Sequence, residues 1–557
     1  MLRQLFRRAA IALGATACLA LAAPLSLAQS APKAGGTALI ALIQEPGSFN
    51  RFLTGQTGAL LGRMVVEGLF DPDEQGNYLP LLAAQLPTQA NGAVSADSLS
   101  VRYTLRPGLK WSDGQPLTSA DYVFTFEAYR NPASTPAGDA ITPAWQQIES
   151  VTAVDALNFV VKMKRPNPGY LELFNIVLPK HKFDSPVLTQ VHAQSRLPLG
   201  TGPFVVKEWR TGDAIVLVRN PHYRQAGKPY LDQIVLKIIP NREVAMQGLL
   251  RGEVDTLFFP TTGDLPTLIK AQKEGNPIEI AMQGSKSWVE WLWLNNTSNG
   301  DAKRPHPVLG DPAVREAMDR AINRQQIIDQ VFGGLGQLTG SFLYSGWAAV
   351  DIPATPYDPA KASQVLEAAG WKKGADGVRV RNNVRASLRF QTISGDRTRE
   401  LYQQLIQQNL KDVGIEIKIQ NVPSTVLFGG YKDGGLMKRG NFDIAMSRDG
   451  YVVDPVVWAG KFTTPQIPSA EHVEGLNFMF YSNAEYDRVV DQAATMVDMA
   501  ERRKLYTQAA RRFAADRPAL PLYSSAWGTA WSRRLGGVKS VSWNGIWAQS
   551  ADWYIAK

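Results

Sequence analysis

Leu99, Val101, Tyr103 and Leu105 alternate with Ser100, Arg102 and Thr104, a period of two that predicts a half-buried strand. The same period recurs at Phe159, Val161 and Met163, and at Ile415, Ile417 and Ile419. Between such stretches the spacing is helical. Val314, Ala317, Met318, Ala321, Ile322, Ile328 and Val331 form the apolar stripe of one helix, opened by Asp311-Pro312. Asp358-Pro359 opens a second, which ends at Gly370. Leu401, Leu405 and Val413 stripe a third, stopped by Gly414. Ser482 and Glu485 cap a fourth, continued by Tyr486, Val489, Val490 and Ala493, and Thr118 with Asp121 forms a capping box before Tyr122-Val123-Phe124. Strands and helices alternate through short connections marked by Pro and Gly, which predicts an α/β or α+β chain with no repeats and no long linker.

The amino terminus breaks this pattern. Arg3, Arg7 and Arg8 precede an apolar stretch over residues 9–23, and Ser26-Leu27-Ala28 supplies small residues for a signal peptidase. That order predicts a secretory signal peptide over residues 1–28 and a periplasmic mature chain. The stretch is shorter than the roughly 20 residues of a membrane span. Lipid anchoring at Cys18 is the alternative, but Ala15-Thr16-Ala17 lacks the usual Leu. Cys18 is the only cysteine, so a chain cleaved after Ala28 has no disulfide, thiolate nucleophile or cysteine-bound metal.

With 557 residues the chain is expected to fold as two or three lobes. Its formal charge of +9 falls by three, to +6, without Arg3, Arg7 and Arg8, and no run of five basic residues marks a nucleic-acid surface. No G-x-S-x-G elbow or Walker A loop occurs, and His181, His192, His222, His306 and His472 are isolated from one another. The expectation is a protein that is not an enzyme and needs no cofactor or metal.

Five blocks resemble, in order, the family of extracellular solute-binding proteins that serve dipeptide and oligopeptide importers. They are Val66-Glu67-Gly68-Leu69-Phe70-Asp71 with Leu79-Pro80-Leu81-Leu82-Ala83; residues 103–124, containing Arg106-Pro107-Gly108 and Trp111-Ser112-Asp113-Gly114; Gly200-Thr201-Gly202-Pro203-Phe204 with Arg219-Asn220-Pro221-His222-Tyr223; Leu294-Asn295-Asn296-Thr297 with Asp311-Pro312-Ala313-Val314-Arg315 and Ala321-Ile322-Asn323-Arg324; and Phe442-Asp443-Ile444-Ala445, ending at Asp454-Pro455. Most of these residues read as structural: Pro107-Gly108 suits a turn and Trp111 a core aromatic.

The resemblance implies a periplasmic-binding-protein type II-like clamp, with two lobes around a ligand cleft plus an insertion lobe. Lobe I would take residues 29–62, 200–284 and 527–557, lobe II residues 63–199 and lobe III residues 285–526. Residues 288–295 and 522–531 would form the hinge. It implies a monomeric substrate-binding component of an ABC importer, delivering peptides or peptide-like solutes to permease subunits in the inner membrane. Ligand would meet Glu45, Gln56, Thr57, Thr201, Trp288, Trp291, Arg448, Asp449, Tyr451, Asp454 and Trp527. Strand alternation would set Trp291 and Trp293 on one face and Trp288 on the other. The family's amine-binding Asp would stand four residues before Pro455, where this chain has Tyr451. Asp449 or Asp454 would take that role, or the ligand lacks a free α-amine and Arg448 meets an anionic group. Replacing Arg448 or Asp449 by Ala is expected to weaken binding more than tenfold without changing the melting of the empty protein. The alternatives are a periplasmic hydrolase on this scaffold, a receptor for an opine, sugar or metal complex, and a sensor partner or peptide chaperone.

Overall fold

In the computed structural model the described residues run from 32 to 556, without 54–55, 74–75, 135, 137–142, 190, 259–262, 284–287, 451–453, 474, 526 and 540–545. The expected signal peptide and Cys18 lie outside them.

Two large sheets organise the chain. The first has seven strands in the order Ile278–Gln283, Trp527–Ser532, Thr256–Leu257, Thr37–Leu42, Gln233–Ile238, Ala214–Arg219 and Phe204–Arg210. Thr37–Leu42 lies parallel to both its neighbours, and the other pairs are antiparallel. The second has six strands in the order Gly336–Gln337, Ala519–Ser525, Trp288–Leu294, Ile444–Gly450, Ser387–Gln391 and Glu416–Ile419. A smaller antiparallel sheet joins Ser100–Thr104, Asn158–Met163 and Ile148–Ala153.

Both large sheets are covered on both faces, so their central strands are apolar at nearly every position. In Trp288–Leu294 the side chains of Leu292 and Leu294 enter one core with Val314, Phe390 and Ile406. Val289, Trp291 and Trp293 enter another with Phe342, Phe462 and Phe513. These two cores draw only on residues between 289 and 523, whereas the cores of the seven-stranded sheet and of the small sheet draw on none of them.

The chain passes from the seven-stranded sheet to the six-stranded one after Ile278–Gln283, and returns after Ala519–Ser525. The strand ends that flank the two passages are paired with each other. Gln283 pairs with Trp527 on one side of the gap, and Val289 with Ser524 on the other.

Local signals mostly act as expected. Val101 and Tyr103 are buried in Ser100–Thr104, and Phe159, Val161 and Met163 in Asn158–Met163. The Asp121 carboxylate accepts the Thr118 N–H at 2.9 Å at the start of helix Ser119–Arg130. Trp111 is fully buried.

Three expectations need correction. The single helix after Asp311 is two, Pro312–Ala321 and Arg324–Phe332, because Asn323 interrupts the first and caps the second by accepting the Gln326 N–H at 3.0 Å. Helix Arg397–Asp412 buries Tyr402, Ile406 and Leu410, while Leu401 is 51% exposed. The cap of Ala484–Thr495 is Asn483, one residue after Ser482, and accepts the N–H groups of Glu485 and Tyr486.

Candidate functional site

The block Gly200-Thr201-Gly202 is explained by packing. A Cβ on Gly200 would stand 1.9 Å from the Val65 carbonyl oxygen, so the chain passes where only glycine fits. Gly202 and Phe204 donate their N–H groups to Val65 and Met64. Thr201 is 3% exposed, and its hydroxyl accepts the Glu67 N–H at 3.1 Å. Its side chain is spent inside the protein.

The ends of Trp288–Leu294 and Ile444–Gly450 nearest the crossing form the most distinctive constellation. Trp288 opposes Gly450, Val289 opposes Asp449, and Glu290 opposes Arg448. A Cβ on Gly450 would meet the Trp288 ring at 2.9 Å, so glycine lets the half-buried indole lie across the neighbouring strand. The Arg448 guanidinium stands 5.5 Å from the centre of that ring, in the range of a cation–π contact. Arg448 is exposed and has no ion pair among the described residues.

Side chains alternate across the sheet, so Arg448 and Trp288 share a face with Glu290. Glu290 is 3% exposed and grips Arg399 through two hydrogen bonds, at 2.8 and 3.3 Å. Tyr402 and Tyr523, both nearly fully buried, stand beside this pair, and burial pushes both phenols well up.

Asp449 takes the opposite face and pairs with Lys461. The Lys461 ammonium lies 3.9 Å from the Trp458 ring centre, 5.1 Å from Trp293 and 5.3 Å from Phe462. Burial lowers its pKa, and the Asp449 charge opposes that effect.

Asp454 is buried at the start of helix Pro455–Gly460, where it caps the Val456 N–H at 2.9 Å. It also holds Arg502 in a two-point ion pair, one contact at 2.7 Å, and Arg502 is wholly buried. Such a pair is enclosed by the chain and is costly to break. Glu172, near the small sheet, accepts the Tyr78 hydroxyl at 3.1 Å. Burial, helped by the Asp454 charge, pushes its carboxyl up to about 8.

The other expected residues are dispersed. Glu45 accepts the Trp209 indole N–H at 2.6 Å and the Gly212 N–H at 3.0 Å, with Arg196 at 3.7 Å. Thr57 is half-buried in helix Gln56–Gly62. Trp291 is fully buried and stacks on Trp293 with ring centres 5.4 Å apart, in the core and away from Trp288, as the alternation required. Gln56 and Trp527 have described backbones only, and Tyr451 lies outside the described residues. The structure thus brings Trp288, Arg448 and Asp449 together, with Asp454 on the following helix. Sequence reasoning missed Lys461, Glu290, Arg399 and Arg502; Glu290, lodged among apolar strand residues, was the one local hint.

A cavity of about 430 Å³ lies elsewhere, between Arg63, Glu67, Asp71, Tyr223, Arg224 and Lys228. Six of its charged residues are paired within the chain: Arg224 with Glu67, Arg63 with Asp71, and Lys228 with Asp552. Among the described residues no group of three or more His, Cys, Asp and Glu could hold a metal ion, and no helix is long and apolar enough to cross a membrane.

The pattern of the bacterial extracellular solute-binding proteins, family 5, matches residues 77–461. The oligopeptide-binding protein AppA of Bacillus subtilis is 26% identical, with 94% of this chain and 93% of that protein aligned. A putative ABC transporter peptide-binding protein of Brucella ovis is 27% identical over 82% of this chain and 80% of its own length. The solved structure of Bacillus subtilis AppA with a nonapeptide superposes with a TM-score of 0.72, covering 94% of this chain and all of that one. NikZ of Campylobacter jejuni, solved with Ni(L-His), reaches a TM-score of 0.74 at 22% identity over 93% of this chain and 99% of its own, a likeness of fold.

Proposed function

The chain belongs to the bacterial extracellular solute-binding proteins of family 5, and from that membership we propose that it is the periplasmic receptor of an ABC importer, binding a peptide-like solute and passing it unaltered to a membrane permease. The observation that carries this reading is the pairing of the strand ends that flank both passages between two separately cored sheets. A molecule so built opens and closes by bending at two short passages, and ligand held between its halves favours the closed form. The Bacillus subtilis and Brucella relatives support peptides as the ligand class.

In this reading the lobes are residues 29–62, 200–284 and 527–557; residues 63–199; and residues 285–526. The ligand lies against the strand ends that carry Trp288, Arg448 and Asp449. Peptide amides add to exposed backbone groups there, and the Trp288 ring walls one side chain. The protein acts as a monomer, is exported through its amino-terminal signal and carries out no chemistry on its ligand.

Native mass spectrometry of protein purified without denaturation tests this directly. A retained peptide, together with tighter thermal stability on re-addition of that peptide, is the expected result. Release of cleaved products on incubation with peptides points to a hydrolase and ends the receptor reading.

A further inference from the structure

Among the described residues the acids around the Trp288 strand are all engaged, and Arg448 is in no ion pair. Arg399 is shared by Glu290 and Asp396, the latter at 3.1 Å. Glu290, the acid on the Trp288 face, is 3% exposed and held at two points by Arg399. Asp449, on the other face, is held by Lys461 and by its neighbour's N–H, from Gly450 at 2.9 Å. Asp454 is locked to Arg502 inside the fold. Glu45 is engaged by Trp209, Gly212 and Arg196. Glu172, beside Asp454, has its carboxyl pushed up to about 8 by burial and by the Asp454 charge. Against these engaged carboxyls stands Arg448, exposed, with the Trp288 ring beneath it. Glu290 opposes it on the neighbouring strand but is held by Arg399, and Arg448 makes no ion pair among the described residues.

The Asp449–Lys461 pair is built in. The Lys461 side chain is 9% exposed and stands among three aromatic rings. A ligand ammonium reaching Asp449 would have to leave that lysine charged, buried and without its partner, which is strongly unfavourable. A carboxylate meeting Arg448 gains two parallel hydrogen bonds and displaces nothing.

Resting on the receptor reading above, we propose that the solute carries an anionic group, taken by Arg448, and no free α-ammonium: an N-blocked peptide or a similar acylated acid. The Trp288 ring and the Arg448 guanidinium form one side of its seat. Lys461 fills from within the position that a ligand amine would take.

The test uses one random peptide library in two forms, identical except that one is acetylated at every amino terminus. Each is offered to the mature full chain, bound peptides are identified by native mass spectrometry, and affinities of matched pairs are measured by calorimetry. Acetylated peptides are expected to bind at least tenfold more tightly than their free-amine counterparts. Amidation of the ligand's carboxyl end, or Arg448→Gln, is expected to cost a further tenfold or more. Lys461→Met, which keeps the apolar stem among the rings and frees Asp449, is expected to move the preference towards free amines. Equal or tighter binding of free-amine peptides overturns the inference while leaving the receptor reading in place. An unchanged preference in a folded Lys461→Met protein overturns the assigned cause. Retention of neither library overturns the receptor reading and this inference with it.

Discussion

Arg448 and Asp449 are neighbours in sequence with opposite surroundings, and their substitutions should separate. Arg448 is exposed and contributes no ion pair within the described chain. Arg448→Ala should leave the melting of the empty protein unchanged and reduce ligand affinity more than tenfold, or about 1.4 kcal/mol; calorimetry beside thermal denaturation checks both halves. Asp449→Ala should behave otherwise, contrary to the sequence-based expectation of unchanged melting. It leaves Lys461 buried among Trp293, Trp458 and Phe462 with no carboxylate. Because Asp449 is itself a third exposed, the cost should be roughly 1–3 kcal/mol, read as a lower melting temperature. Adding Lys461→Met should recover most of that loss. The types of residue at this site were visible in the sequence, but not their partners. Lys461 lies 12 positions from Asp449 and Arg399 lies 109 from Glu290, and no local period links them.

Elements were more legible than contacts, because each carries its own punctuation. Asp311, Asp358 and Asp454 all precede a Pro, and each accepts an N–H within its helix's first turn. The reading failed where a distant residue decided the outcome. Apolar spacing continues in phase through Ile322 and Asn323, and gives no reason for a break. What breaks the helix is Asn323, whose side chain caps the next helix while its N–H goes to the Asn409 side chain at 3.0 Å, 86 positions away. Asn323→Ala should therefore destabilise the six-stranded half by about 1 kcal/mol, seen as a lower denaturant midpoint for that half. The exposed Leu401 shows the same limit: a helical stripe fixes a period, while the packing partners Phe332 and Tyr523 select Tyr402 as the residue that points inward.

Across the whole molecule, charged groups of the small sheet's region approach the six-stranded half. Arg165 lies 3.8 Å from Asp491, and the Asp454 charge acts on the buried Glu172 carboxyl. Glu172 gives this approach a pH dependence. Its carboxyl rises from 4.5 to about 8 in the folded state, through burial first and the Asp454 charge second. The folded chain thus holds a proton that the unfolded chain gives up, and stability present below pH 4.5 is lost progressively as pH rises towards 8. Melting temperatures measured from pH 5 to 9 should fall across that window and then level off. Glu172→Gln, which cannot ionise, should remove this slope.

The paired strand ends at the two passages between the sheets have a consequence for how the protein can be taken apart. Gln283 and Trp527 already face each other as ladder partners, so a short turn could join them directly and excise everything between. The excised piece, from Val289 to Ser524, begins and ends on paired strands and keeps both of its apolar interiors whole. Expressed by itself it should fold cooperatively, and its amide hydrogens should exchange at the rates they show in the intact chain. Rapid exchange throughout the Trp288 strand of the fragment would mean that the two halves are thermodynamically one. Recombination between related genes at these two seams would then exchange a complete half of the binding surface while leaving the parent sheet closed.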